Sequence, residues 1–64
     1  MRVIAKFERS GATLFQHVFD AQNSGDFADG VKHALSKVRE DRKDIDLLAD
    51  DVTFKVDKFD AQGT

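Results

Sequence analysis

Phe27, Val31, Ala34, Leu35 and Val38 recur at intervals of four, three, one and three residues, so all five fall on one side of a helix that turns every ~3.6 residues. A stripe that is apolar on one side only has to be laid against something, and no other pattern in the chain constrains the fold as much. The spacing predicts an amphipathic helix over residues 26 to 41. Asp26 and Asp29 lie in its first turn, with Lys37, Arg39, Arg42 and Lys43 toward its end, the order of charge that the helix dipole favours. Asn23-Ser24-Gly25-Asp26 breaks the chain just before it, where Ser24 or Asp26 can accept from the free N–H groups of the first turn. Arg42 would turn back into the apolar stripe, so the helix is expected to end near Asp41.

The surface that receives the helix is predicted to be a β-sheet. Val3, Ala5 and Phe7 alternate with Ile4, Lys6 and Glu8, the period of a half-buried strand. Arg9-Ser10-Gly11-Ala12 supplies a turn, with Gly11 available for positive φ, and Thr13 to Asp20 resumes a strand rich in β-branched and aromatic residues. Beyond the helix, Val52, Phe54 and Val56 alternate with Thr53, Lys55 and Asp57 in a further strand up to about Phe59. Residues 45–48 read as a short fourth strand or one helical turn, with the strand preferred. The expectation is an α+β fold: an antiparallel sheet of three to four strands with one helix on one face, in the order β-β-α-β or β-β-α-β-β.

With 64 residues the chain has room for one hydrophobic core, so a single small domain over 1–64 is expected, with 60–64 a loose tail. No Pro or low-complexity segment divides it. Phe19-Asp20-Ala21-Gln22 recurs as Phe59-Asp60-Ala61-Gln62, but the flanking residues do not align, which fits two similar strand exits better than a duplicated unit. A core this small gains from a partner, and with no Cys and two His neither a disulfide nor a closed metal site is expected to supply the margin. The absence of Cys and of a signal-like segment points to a cytoplasm. No apolar run approaches the ~20 residues that cross a bilayer. The net charge of −2 supplies no long-range attraction for a polyanion.

The order hairpin, helix, then strand resembles that of the immunoglobulin-binding domains of protein L and protein G, and the first half resembles the start of HicB-type antitoxins. The likeness is one of element order, and it carries no binding residue to this chain.

Chemistry-bearing candidates are few. The acidic stretch Asp44 to Asp51 lacks the calcium-loop pattern, because counting from Asp44 puts Leu48 at position 5, Ala49 at 6 and Lys55 at 12. Asp29 and His33 are four residues apart on the helix, a spacing that more often marks solvated surface than a metal site. Ser10, Ser24 and Ser36 lack a nucleophile elbow. A phosphate at the helix start would meet Asp26 and Asp29. No catalytic, cofactor or metal residues are therefore assigned, and no enzyme activity is expected.

The second strand says more, because it is apolar on both faces. Phe15, His17 and Phe19 point one way, and Leu14 and Val18, with Gln16, the other. One helix covers one face, so the remaining set adds to an open one. If the phenylalanines face the helix, Leu14 and Val18 join Ile4, with Phe59 as a further candidate, in an outer patch for a protein partner or a second copy. If they face outward, Phe15, His17 and Phe19 form an aromatic platform for unpaired bases. Lys32, Arg39 and Lys43, at i, i+7 and i+11, add a basic flank. The candidate partner-binding residues are thus Ile4, Leu14, Phe15, His17, Val18, Phe19, Lys32, Arg39 and Lys43. The expected function is a non-enzymatic protein-interaction module, a small regulator or inhibitor of phage or bacterial type that acts alone or as a homodimer. A nucleic-acid-binding module is the alternative, and no membrane partner is expected.

Overall fold

The computed structural model describes residues 1–60. Three strands and one helix follow in the order β1 (Arg2–Arg9), β2 (Ala12–Asp20), α1 (Ser24–Asp41) and β3 (Val52–Phe59). The sheet order is β2-β1-β3, and β1 is antiparallel to both neighbours. Strands β2 and β3 therefore run in the same direction on either side of β1, with α1 as the crossover between them, a split β-α-β arrangement. The expected α+β fold with β-β-α-β order is what the chain adopts.

Local chemistry accounts for each joint. Ser10 and Gly11 have φ values of 51° and 83°, so the β1–β2 hairpin closes on two left-handed residues, the geometry whose twist matches that of the strands. The helix is capped by Asn23 rather than by Ser24 or Asp26. Its Oδ1 accepts from the Asp26 N–H at 2.9 Å, and the Asp26 carboxylate reaches back to accept from the Gln22 N–H at 3.0 Å. This reciprocal pair satisfies donors on both sides of the helix start, which extends the helix two residues beyond the predicted start. Arg42 ends it: its N–H donates to the Val38 carbonyl, and its side chain leaves the stripe to bind elsewhere.

Residues 45–48 form no strand, contrary to the preferred expectation. Ile45 N–H donates to the Arg42 carbonyl, Ala49 N–H to Asp46 and Val52 N–H to Ala49, so a run of tight turns carries the chain from α1 to β3. Asp46 decides this locally, because its carboxylate accepts from the Leu48 N–H at 3.0 Å and a backbone so engaged is withdrawn from strand pairing. Leu48 is almost fully exposed. Of the expected tail over 60–64, residues 61–64 lie outside the described residues.

The core lies between β1 and the helix. Val3, Ala5 and Phe7 on β1 are buried with Ala34 and Val38 on α1 and with Ala21 just after β2. Gly30 explains how close the layers come: a Cβ there would overlap the Phe19 ring, so the ring occupies space that any other residue would fill. The helix packs over β2 and β1 and leaves β3 to one side.

Candidate partner-binding surface

Cross-strand partners share a sheet face, so the register sorts every strand residue. Val3, Ala5 and Phe7, buried under α1, pair with Phe19, His17 and Phe15 on β2 and with Lys58, Val56 and Phe54 on β3. The aromatic residues of β2 are thus on the helix side. Phe19 lies 6.4 Å from Phe27 and His17 lies 5.2 Å from His33 between ring centroids, both across the β2–α1 contact. Of the two alternatives read from the sequence, an outward platform of Phe15, His17 and Phe19 is therefore not the one the chain adopts.

The outer face is built from the other row. Ile4 pairs with Val18 across the β1–β2 ladder, and Phe59 pairs with Arg2 across the β1–β3 ladder, one diagonal step from Ile4. Val18 is 42% and Phe59 46% exposed, while Ile4 between them is half-buried. Leu14 does not continue the row. The ladder passes from Phe7↔Phe15 to Glu8↔Thr13, so Leu14 falls on a β-bulge without a partner on β1. Its carbonyl accepts from Arg42 Nη1 at 2.7 Å, which ties the end of α1 to the start of β2.

Charge borders the patch on both sides. At one end Arg2 and Asp20 are 3.0 Å apart. At the other, Glu8 meets Lys6 at 3.8 Å and Lys55 at 3.3 Å, and Lys6 also reaches Asp57 at 3.6 Å. The result is a small apolar spot rimmed by paired charges, the general make-up of a protein-binding surface. The pairs on this open face hold the side chains in place more than they stabilise the fold.

The basic candidates are spread out. Lys32 and Arg39 are exposed on α1, on the opposite flank from His33, while Lys43 lies beyond the Arg42 cap and no longer follows the helical spacing. Arg42, which was not singled out as a site residue, forms a two-pronged bond with Asp44 at 3.0 Å on each prong, and this raises the Arg42 pKa and lowers that of Asp44. His17 is held below its ordinary pKa by burial, then by the charges of His33 and Lys37. Among the described residues no group of His, Cys, Asp or Glu is placed to hold a metal, and no helix is long and apolar enough to cross a membrane.

Sequence reasoning overlooked one exposed region. Because α1 is offset toward β2, the helix side of β3 is only partly covered: Phe54 is 40% exposed although it stacks 4.7 Å from Phe7. Leu35, on the flank of α1 away from His17, is also exposed. The signal lay in the width of the sheet, since one helix about 10 Å across cannot cover three strands spaced ~4.8 Å apart together with their side chains.

Compared with known proteins, the chain matches no family model, no curated protein and no solved structure.

Proposed function

We propose that the chain is a non-enzymatic protein-interaction module, a small regulator or inhibitor that acts by covering a surface of another protein with the outer face of its sheet. The observation that carries this is the Ile4, Val18 and Phe59 patch, left open on the side away from the helix and rimmed by paired charges. Apolar surface of that kind on a core this small is a cost unless a partner covers it. The ion pairs around it set orientation and exclude partners of mismatched charge. Ile4→Lys and Val18→Lys each place a charge in the patch on a strand whose buried row is untouched. Wild-type protein immobilised in an extract of its host should retain a defined protein that both variants lose while keeping their circular dichroism. Retention unchanged in both variants would move the binding site off this face.

The nucleic-acid alternative keeps one supporting observation, the exposed Lys32, Arg39 and Lys43, and has lost the aromatic platform that would stack bases. Titration with single-stranded RNA and DNA at low salt separates the two: the proposal expects no saturable binding, and binding that falls steeply with salt would favour the alternative.

A further inference from the structure

The two edges of the sheet are not equivalent. The β2 edge is interrupted by the bulge at Leu14, whose carbonyl is occupied by Arg42, and both devices discourage a further strand. The β3 edge has neither. It pairs with β1 in unbroken register from Val52 to Phe59, contains no Pro, and lies to one side of α1, reaching it through Lys58 over the Phe27 ring. Strand β3 is therefore open to addition of another strand, and its own sequence specifies which.

We propose that β3 pairs antiparallel with β3 of a second copy, about a two-fold axis through Val56, joining two three-stranded sheets into one of six strands. The argument is register. A two-fold axis perpendicular to the sheet keeps both helices on one side and makes one residue of β3 face its own copy. With Lys55 at the axis, Lys55 faces Lys55; with Asp57, Asp57 faces Asp57; with Lys58, Lys58 faces Lys58. Each sets like charges opposite one another, which is destabilising. With Phe54 at the axis only Val52 to Val56 overlap, and Asp57 is carried opposite Asp51 of the other copy.

With Val56 at the axis, Thr53 to Phe59 all pair, Lys55 and Asp57 find each other, and no like charges stand opposite one another. On the outer face Lys55 stands opposite Asp57 of the other copy, twice by symmetry. On the helix side Phe54 stands opposite Lys58 of the other copy, whose methylene stem suits a half-exposed ring, while its ammonium lies over Phe27 of its own chain. Val56 meets Val56 at the centre. The outer-face ion pairs then run on across the join, because Asp57 already meets Lys6 and Lys55 already meets Glu8 within each copy. The offset of α1 serves the same end, since a helix over β3 would block the second copy. The inference concerns the β3 edge; it shares Phe59 with the outer patch but does not depend on that patch binding a partner.

Sedimentation equilibrium of the full chain across micromolar to millimolar concentrations at low salt tests it, alongside Lys55→Asp, Asp57→Lys and the double exchange. The wild type should dimerise. Each single variant, which sets like charges across both pairs, should weaken the dimer about tenfold or more, and the double exchange should recover most of that loss, short of the wild type because within each copy it also turns the Lys55–Glu8 and Lys6–Asp57 contacts into like-charge pairs, with circular dichroism unchanged throughout. A monomer at millimolar concentration overturns the proposal. So does a dimer that both single variants leave intact, or single-variant losses that the double exchange does not repair.

Discussion

Gly30 and Phe19 illustrate how one position can decide the spacing of two layers. Alanine is the better helix former by about 1 kcal/mol, so Gly30→Ala considered alone would stabilise α1. The Phe19 ring already fills the space a Cβ needs, so the substitution must displace it or push the helix off β2. Overpacking of this kind costs about 1–3 kcal/mol, and the net effect is expected to be destabilising by about 1 kcal/mol. Urea denaturation should show the loss, and combining Gly30→Ala with Phe19→Leu should recover part of it, the coupling expected of residues in contact. His17 adds a pH dependence. Its folded-state pKa lies below the unfolded value of about 6.5, so the folded state favours the neutral ring. This contribution is complete above that value, is lost as pH falls through it, and levels off below the folded-state pKa. The cause is burial against the His33 and Lys37 side of α1. The urea midpoint should therefore fall between pH 7.5 and 5, and His17→Gln should flatten that slope.

At the scale of elements, the helix and strand periodicities were readable because each reflects a face that must be buried. Phe27 to Val38 predicted α1, and the alternations of Val3 to Phe7 and Val52 to Val56 predicted β1 and β3. What could not be read came from single polar atoms. Asn23 takes the cap because its side chain reaches the Asp26 N–H, while Asp26 bonds backward to Gln22. Asn23→Ala should cost about 1 kcal/mol, measured as a lower urea midpoint, and Ser24→Ala far less. Asp46 turns the segment before β3, where apolar content alone suggested a strand. The candidate surface was legible in the same uneven way. An apolar excess on both faces of β2 followed from composition, but which face meets the helix depended on register with β1, and the exclusion of Leu14 from the outer row depended on a bulge that leaves no mark in the sequence. The open helix side of β3 followed from the lateral position of α1, which no single segment encodes.

For the molecule as a whole, the consequence of that position is an uneven distribution of stability. Strand β2 is held by β1 on one side and by α1 above, through Phe19 on Phe27 and Arg42 on Leu14. Strand β3 has the β1 ladder, the Phe54 contact with Phe7, the Arg9–Asp51 ion pair at its start and Lys58 over the Phe27 ring. Phe7 is the joint between the halves, since its ring touches Phe15 on one side and Phe54 on the other and is 2% exposed. A chain of 64 residues holds roughly 3–10 kcal/mol in total, and Phe7→Ala should cost about 3–5 kcal/mol, enough to unfold much of the population. The milder Phe7→Leu keeps volume in the core but gives up the ring stacking that reaches β3. Hydrogen exchange in dilute wild-type protein should show β1 and α1 protected most and β3 opening first. Phe7→Leu should widen that gap, lowering protection over Val52–Phe59 more than over α1. If β3 pairs with a second copy, raising the protein concentration should close the gap in the wild type, because a strand bonded on both edges can no longer open alone. Protection of β3 equal to that of β1 at every concentration would mean that contacts beyond the β1 ladder hold it.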